Sequence, residues 1–242
     1  MKIFHIVSNK EWGGGEQYVY DLSQRQRTEG IDVTIFCKPV EAIIQKYQEA
    51  GMKVIPLALG GALDIRSAWK MAKVIENHSN IHAHNFKDAF TACYAKCLAG
   101  NKQVRVVMCR HLTRKGKNTL LYRWLYRHLD RLIFDSELSR SVFLSTRPTI
   151  DEAKLGIVHT SIVVTEVGNG REGVRREEVR SKYQIPEDCV IGMFHGRLDP
   201  EKGLDVLLEA VAQIKEKPFR LVLVGRGSEE YTAHLKQTVQ DL

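Results

Sequence analysis

Residues 194–204 read Phe-His-Gly-Arg-Leu-Asp-Pro-Glu-Lys-Gly-Leu, and this stretch connects an apolar run to an amphipathic pattern. The apolar run is typical of a β-strand, and the pattern after it is typical of an α-helix. Arg197 and Lys202 stand in the turn between them, with Gly196 and Gly203 on either side. Such a turn presents backbone N–H groups to an anion, and glycines allow the backbone to approach it. The stretch therefore predicts an α/β unit with a phosphate-binding turn; the alternative is a pair of solvated surface cations.

Elements of the same two kinds continue to the C-terminus. We predict a strand at 189–194, a helix at 204–215, a strand at 220–224 and a helix at 228–242. The second strand leads into Gly225-Arg-Gly227, which repeats the glycine-bracketed cation of the first turn. A tight turn explains this short glycine pair equally well, so it supports a phosphate site only in combination with the first turn.

The N-terminal part of the chain shows the same alternation six times. Each short β-rich run is followed by a helical pattern, which is typical of a parallel sheet covered by helices on both faces. The runs are 2–7, 32–37, 53–57, 80–84, 103–108 and 131–134, and the helical patterns begin near residues 16, 40, 64, 87, 120 and 136. We therefore predict a doubly wound, Rossmann-like α/β domain that binds its ligands outside the carboxyl ends of the strands.

A break in this alternation predicts an interdomain linker. The pattern weakens after residue 146 and recovers in an apolar run at 161–167. Gly168-Asn-Gly170 and the charged stretch 171–180 then follow. Because neither resembles a core element, we interpret them as the linker between two domains.

The two predicted domains differ in size. The first spans 1–170 and the second spans 171–242, which is 72 residues (242 − 170). An independent doubly wound domain usually needs about 100 to 150 residues. We therefore expect a truncated chain whose open sheet edge is covered by the first domain or by a second copy in a homo-oligomer.

Composition excludes several classes of protein. With 43% apolar and 27% charged residues, the chain is typical of a globular protein. Its N-terminal apolar run meets polar residues before a signal-peptide core can form, and no stretch approaches the ~20 apolar residues of a membrane span. Five cysteines without a CxxC pair favour buried, reduced thiols over a disulfide framework or a zinc site. We expect a cytoplasmic protein.

Most of the excess positive charge lies in one segment. The net charge is +7, and residues 110–147 contain nine basic against three acidic side chains, so 9 − 3 = +6. We predict a helix at 120–132 with a basic stripe of Arg123, Arg127 and Arg131, and an apolar stripe of Leu121, Trp124, Leu125, His128 and Leu132. The segment 114–132 could rest on the inner face of the cell membrane, or the helix could bury its apolar face within the domain. Nucleic-acid binding through the basic segment is a third alternative.

A glycine turn follows the first predicted strand. Gly13, Gly14 and Gly15 precede Glu16 and open the first helix, so the backbone and the helix N-terminus are both available to a ligand. A turn that merely needs positive φ is the alternative, with Glu16 complementing the helix dipole. A dinucleotide-binding fingerprint needs GxGxxG and an acidic residue ~20 positions later, and these are not met together. This argues against a Rossmann dehydrogenase.

Histidines close two further predicted strands. His82 and His84 stand two residues apart, which places both imidazoles on one face of a strand, and Asn85 follows them. Zinc would need a further ligand that the spacing does not suggest, so we favour a polar lining of the site over a metal centre. His111 follows the fifth run, where it can orient a substrate hydroxyl; a structural, hydrogen-bonded histidine is the alternative.

Taken together, these motifs resemble the GT-B glycosyltransferases, in particular the retaining group known as family 4 or group 1. The likeness covers nearly the whole chain, and its specific part is the run from Gly196 to Gly203 that holds Arg197 and Lys202. The supporting parts are Gly13 to Glu16, His82-Ala-His84, His111, Ser136-Glu137, Gly168-Asn-Gly170 and Val224-Gly-Arg-Gly227.

The resemblance implies a GT-B fold and a chemical role for each motif. A sugar would pass with retention from a UDP- or GDP-sugar, bound on the second domain, to a glycan or lipid-linked acceptor bound on the first, with no required metal or cofactor. Arg197 and Lys202 would stabilise negative charge on the departing diphosphate, and His111 would contact the transferred sugar. Donor-binding residues would be Gly14, Gly15, Gly196, Gly203, Gly225 and Gly227, and acceptor-side residues would be Glu16, His84 and Asn85.

One feature of the resembled family is missing from the sequence. The family holds the donor sugar and ribose with two glutamates seven residues apart, and no such pair in a matching context precedes Leu242. We therefore expect the 242-residue chain by itself to be weak or inactive as a transferase.

Overall fold

A computed structural model describes residues 1–100, 103–161, 172–214 and 218–241. The chain divides into two compact units, Met1–Val163 and Val164–Leu242. The predicted hinge Gly168-Asn-Gly170 and most of the apolar run before it lie outside the described residues. Among the helices that the structure describes, none has both the length and the apolarity needed to cross a membrane.

The first unit contains a seven-stranded parallel sheet in the order β3-β2-β1-β4-β5-β6-β7. Its strands are β1 (Lys2–Val7), β2 (Asp32–Cys37), β3 (Lys53–Pro56), β4 (Ser79–Ala83), β5 (Arg105–Arg110), β6 (Arg131–Phe134) and β7 (Leu155–Ile157). Its helices are α1 (Gly14–Thr28), α2 (Glu41–Glu49), α3 (Ile65–Ala72), α4 (Phe86–Leu98), α5 (Leu120–His128) and α6 (Glu137–Leu144). The chain winds outward from β1 to β3, returns to β4 and winds the other way, as a doubly wound fold does.

Two apolar clusters cover the two faces of this sheet. Five consecutive residues of β2 are buried, because a central parallel strand is enclosed on both sides. Phe4 and Phe36 stack in one cluster with ring centroids 5.2 Å apart, while Val33 and Ile35 belong to the other. Each fully buried side chain of this size contributes about 1.5–3 kcal/mol to folding. The sheet is therefore a rigid platform for the loops at its edge.

The second unit contains a two-stranded parallel sheet and three described helices. In chain order the elements are α7 (Glu172–Lys182), β8 (Val190–His195), a single 3-10 turn (Pro200–Lys202), α8 (Leu204–Ala212), β9 (Phe219–Val224) and α9 (Glu229–Asp241). A small core holds α8 against α9, with Leu204, Leu208, Tyr231 and Leu235 as its buried members.

The interpretation of 171–180 as linker is wrong for the described part of that stretch. It is helical from Glu172, and α7 continues to Lys182. Arg180 fastens the helix by donating hydrogen bonds to the carbonyl oxygens of Pro186 and Cys189, at 2.6 and 3.1 Å. Because Glu, Arg and Lys are good helix formers, high charge alone could not distinguish a linker from a solvated helix.

The helix predicted at 120–132 is too long. It ends at His128, and Arg131 and Leu132 belong to β6, so Arg131 does not extend a helical basic stripe. Lys154 marks the end of the helix, because its ammonium donates to three carbonyl oxygens at 2.7 to 3.2 Å in the last turn. The three-residue strand β7 was not predicted, because so short a run carries little periodic signal.

Candidate functional site

The candidate site of the first unit lies where the sheet reverses its winding, at the carboxyl ends of β1, β4 and β5. β1 and β4 are neighbours there, and His5 lies opposite His82 in their register. β4 pairs with β5 in parallel, so the residues that follow them, His84 and His111, emerge at the same edge. In open α/β sheets a crevice forms at this switch point and usually binds the ligand.

Four histidines and one cysteine meet at this edge. His5 Nδ1 lies 3.0 Å from His84 Nε2, and His84 Nδ1 lies 3.4 Å from His111 Nε2. His82 Nε2 lies 3.0 Å from Cys109 Sγ. The structure therefore brings together the predicted site residues His84 and His111. His5 also belongs to this group. It lies inside β1, and the only sequence signal for it is the alternation of side chains along the strand, which indicates the face that it is on.

Ring packing and burial fix the state of these imidazoles. The rings of His84 and His111 are stacked with 14° between their planes, and Tyr18 packs edge-on against His111 at 4.7 Å. Burial lowers the pKa of His5 to about 4, and it also lowers the pKa of His84 and of His111. The rings are therefore neutral near pH 7, and each can donate at one nitrogen and accept at the other.

Three of these histidines could also hold a metal ion. Ligand nitrogens of His5, His82 and His84 all lie within 4.8 Å of one another. Neutral imidazole is the form that binds zinc, and three histidines are a known zinc ligand set. His5 is thus the third candidate ligand, which the spacing of His82 and His84 did not suggest. That no metal is required stays a prediction.

The glycine turn caps α1. The Glu16 carboxylate accepts a hydrogen bond from the Gly13 N–H at 3.0 Å, and its other oxygen accepts from the Asn9 amide. Glu16 is buried and serves the local fold; its acceptor-side role stays a prediction. Gly14 and Gly15 are exposed, and apart from the adjacent residues and the backbone of α1 itself nothing lies within 4 Å of the Cβ position at either residue, which leaves room for a ligand.

Asn85 is the cap of α4 and is bonded to a buried acid. Its Oδ1 accepts from the Asp88 N–H at 2.9 Å, and its Nδ2 donates to Asp88 Oδ2 at 2.6 Å and to Ser8 Oγ at 3.2 Å. Burial raises the pKa of Asp88 to about 7. Sequence reasoning missed Asp88, although Asn-x-x-Asp before an apolar run is close to a capping-box pattern and could have revealed it.

A buried cation directly precedes His111. Arg110 is 5% exposed, and its guanidinium lies over the rings of Phe86 and Phe143 at 5.2 and 5.0 Å. Its Nε donates to the Leu112 carbonyl at 3.0 Å, while Nη1 has no hydrogen-bond partner among the described residues. From the sequence, Arg110 was only one of several basic residues in the segment 110–147, because no local pattern predicted its burial.

In the second unit, the turns after β8 and β9 are hydrogen-bonded to each other. The Gly196 N–H donates to the Val224 carbonyl at 3.0 Å, and the Leu198 N–H donates to the Arg226 carbonyl at 2.8 Å. The two turns therefore form one surface at the carboxyl end of the two-stranded sheet.

Glycine is required in the second of these turns. A Cβ on Gly225 would overlap the Gly196 carbonyl oxygen, and a Cβ on Gly227 would overlap the Leu198 carbonyl oxygen. Close backbone contact is thus the physical reason for the glycine pair. Its predicted contact with the donor stays a prediction.

Arg197 and Lys202 both lie in the first turn and are exposed. The Arg197 side chain is 63% exposed, with Nε 3.2 Å from Asp199 Oδ2. Asp199 also accepts from the Glu201 N–H at 3.0 Å, which starts the 3-10 turn, and Gly203 adopts a φ of +67° just before α8. Both residues lie in the turn that precedes α8, and their action on an anion stays a prediction.

Two family models together match most of the chain. The model described as Glycosyltransferase Family 4 matches residues 12–166, and the model described as Glycosyl transferases group 1 matches residues 175–241. The chain is 24% identical over 265 residues to a D-inositol 3-phosphate glycosyltransferase of Nocardioides sp., with 94% of this chain and 56% of that protein covered. A protein of the same name from Streptomyces scabiei is 23% identical over 245 residues, with 88% and 53% covered.

Solved structures give the same result for the fold. Anabaena HepE, in complex with UDP-glucose, has a TM-score of 0.76 at 17% identity over 100% of this chain and 66% of its own. A glycosyltransferase from Rickettsia africae has a TM-score of 0.77 at 16% identity over 99% and 65%. The predicted α/β fold of GT-B type is confirmed. The chain spans about half the length of the curated relatives named above, at 56% and 53%.

Proposed function

We propose that this chain, which belongs to Glycosyltransferase Family 4, serves the transfer of a sugar from a nucleotide-sugar to a glycan or lipid-linked acceptor, with retention. The relatives compared above are glycosyltransferases by name, and one solved neighbour holds UDP-glucose. The alternative of a nucleic-acid-binding protein is not favoured by any of them. The donor proposed here is a UDP- or GDP-sugar, with no required cofactor.

The observation that carries the proposal is the pair of hydrogen-bonded turns at the carboxyl ends of β8 and β9. They present Arg197 and Lys202 beside the N-terminus of α8, where backbone N–H groups and cations can act on one anion. In the proposal both side chains bind the donor diphosphate and stabilise its charge as the sugar departs. Removing a single such electrostatic contact typically lowers kcat by about 10²–10³.

The proposal divides the remaining roles between the two predicted domains. The second, 171–242, binds the donor, with Gly196, Gly203, Gly225 and Gly227 allowing its approach. The first, 1–170, binds the acceptor near Glu16, His84 and Asn85. Gly14 and Gly15 leave space for the transferred group, and His111 contacts the sugar. This assignment rests on the family and on the exposure of both glycine turns.

Ligand-dependent thermal stability tests the donor site without requiring turnover. UDP, GDP, UDP-glucose and a GDP-hexose are added to the purified chain, and a ligand at 100 times its Kd should add about 2.7 kcal/mol of stability. Arg197→Ala and Lys202→Ala should each lose the shift. Lys236→Ala removes an exposed cation on α9 and is the matched control, which should keep it. The absence of a shift with all four nucleotides would overturn the donor site.

A membrane-facing surface is the second part of the proposal, as part of the predicted location at the cytoplasmic face of the cell membrane. The loop and first turn that lead into α5 expose Leu112, Leu120 and Leu121, at 59%, 82% and 38%, beside Arg114 and Lys115. No acidic residue occurs between positions 111 and 129. Each such cation contributes about 1 kcal/mol at an anionic surface. Cosedimentation with phosphatidylserine vesicles should exceed that with phosphatidylcholine vesicles, and equal binding to both would contradict the proposal.

Self-association through the second unit is the third part. Met193, Val222 and Val224 share one face of its two-stranded sheet and are 70%, 36% and 42% exposed, which is an apolar surface that a second copy could cover. Light scattering after size exclusion should then give twice the monomer mass. A monomer at all accessible concentrations would contradict this part alone.

A further inference from the structure

A chain of hydrogen bonds leads from α1 to His111. Gln26, on α1, places its amide oxygen Oε1 2.7 Å from His5 Nε2. His5 Nδ1 then lies 3.0 Å from His84 Nε2, and His84 Nδ1 lies 3.4 Å from His111 Nε2. Four side chains from α1, β1 and the ends of β4 and β5 are thus connected in one line.

The chemistry of each contact fixes where the hydrogens lie. An amide oxygen only accepts, so His5 Nε2 carries the hydrogen, and in a neutral ring His5 Nδ1 is then bare. A contact between two ring nitrogens needs one N–H and one lone pair, so His84 Nε2 donates to His5. The same step makes His84 Nδ1 an acceptor and His111 Nε2 a donor. Every contact therefore follows from the first.

We propose that Gln26, acting through His5 and His84, holds His111 as its Nε2–H tautomer and leaves His111 Nδ1 as a hydrogen-bond acceptor. Gln26, His5 and His84 are positioning residues in this scheme. If the proposed function holds, His111 Nδ1 accepts a hydrogen bond from a hydroxyl group of the sugar or of the acceptor. The tautomer itself is a property of the protein alone, so it can be tested without a substrate.

Burial preserves the order of donors and acceptors along the hydrogen bonds from Gln26 to His111. His5 is completely buried, so water cannot replace either of its two partners. A charged ring would have two donors and no acceptor and would interrupt this sequence of donors and acceptors. Tyr18 packs on His111 through its ring, which limits the ring's rotation without fixing its hydrogen.

Two substitutions of Gln26 give opposite expectations. Gln26→Glu presents only acceptor oxygens when ionised and should preserve the Nε2–H tautomer of His111. Gln26→Lys presents only donors, so His5 Nε2 must accept, every hydrogen along the line moves to the other nitrogen, and His111 becomes the Nδ1–H tautomer. Gln24→Lys, on the exposed side of the same helix, is the matched control and should leave the tautomer unchanged.

Two-bond proton–nitrogen NMR correlations of ¹⁵N-histidine-labelled protein at about pH 8 distinguish the two tautomers of neutral rings. The proposal is overturned if His111 is Nδ1–H in the unsubstituted chain, or if a folded Gln26→Lys variant keeps Nε2–H. It is also overturned if stoichiometric Zn²⁺ binds and shifts His5, His82 and His84 together, because a metal would replace the bonds between the rings. Otherwise the tautomers should persist in the presence of Zn²⁺.

Activity provides a second readout in a preparation that transfers sugar. Gln26→Lys should lower kcat/KM roughly tenfold or more while Gln26→Glu stays close to the unsubstituted protein. Correct tautomers together with no thermal shift from any of the four nucleotides would contradict the proposed donor site and leave the tautomer assignment standing. Normal transfer by a Gln26→Lys variant with the reversed tautomer would overturn the role of Nδ1 as an acceptor.

Discussion

Replacing Asp88 with Asn should remove a loss of stability that the first unit suffers as the pH rises from about 4 to about 7. Asp88 is 2% exposed, and its carboxylate is bonded to the Asn85 amide at 2.6 Å. Burial raises its pKa from 3.8 to about 7, because the charged form loses its hydration. Asn has nearly the same shape and no charge, so Asp88→Asn removes the titration while keeping a side chain that can bond to Asn85.

The direction in which Asp88 changes the free energy of unfolding with pH follows from proton uptake. Between about pH 4 and pH 7 the folded protein keeps Asp88 protonated while the unfolded chain has released that proton. The folded state binds more protons there, so Asp88 lowers the free energy of unfolding as the pH rises through this window. A shift of about 3 units at about 1.4 kcal/mol per unit gives about 4 kcal/mol. As the pH rises from about 4 to about 7, the free energy of unfolding of Asp88→Asn minus that of the unsubstituted protein should increase by about this amount. Above pH 7 the difference should level off.

Urea unfolding followed by tryptophan fluorescence measures this difference. All three tryptophans, Trp12, Trp69 and Trp124, lie in the first unit, so the signal reports on the unit that contains Asp88. The buried histidines titrate equally in both proteins and cancel. Asp64→Asn is the matched control: Asp64 caps α3, and its pKa is lowered, so its difference should be flat from pH 5 to pH 8. A flat difference for Asp88→Asn as well would refute the reasoning.

Three further substitutions test other parts of the structure by urea or thermal unfolding. Gly225→Ala should destabilise the second unit by about 1–3 kcal/mol because its Cβ overlaps a backbone carbonyl, whereas Gly14→Ala meets open space in a helix and should gain up to about 1 kcal/mol; equal effects would contradict the close approach of the two turns. Lys154→Met should lower the free energy of unfolding by about 1–3 kcal/mol, since three carbonyl oxygens at the end of α5 lose their donor. Lys10→Met is the control, and an equal loss in that variant would contradict the prediction. Glu16→Ala should cost about 1 kcal/mol by removing the cap of α1, and Glu16→Gln should restore most of it; no loss with Ala would show that the cap is unimportant.

Buried strands and the turns after them were the most predictable parts of the chain. The runs 2–7, 32–37 and 131–134 match β1, β2 and β6 at both ends, because strands enclosed on two faces are mostly apolar. Turn residues such as Gly203 were recognisable because only a glycine adopts its positive φ without strain. Local sequence therefore located the turn between β8 and α8, and its binding of an anion stays a prediction.

Elements whose limits depend on distant contacts were predicted less well. The apolar and basic pattern of α5 continues past His128 in sequence, but Lys154 and the start of β6 decide where the helix stops. Arg180, near the end of α7, donates a hydrogen bond to backbone that follows the helix, and this contact distinguishes the segment from a linker. No pattern within either segment contains this information.

The histidine cluster shows how much depends on strand order. His5 and His84 are separated by 79 positions, and they touch only because β4 returns to the side of β1 after β3 has been formed. His5 alone looks like an ordinary strand residue, and His82-Ala-His84 alone lacks a third partner. The doubly wound order that the alternation implies places β4 beside β1, and the parity of side chains along each strand then turns His5 towards the same face as His82. Sheet order therefore makes the cluster predictable, whereas Gln26 reaches it from a helix face that the order of strands does not determine.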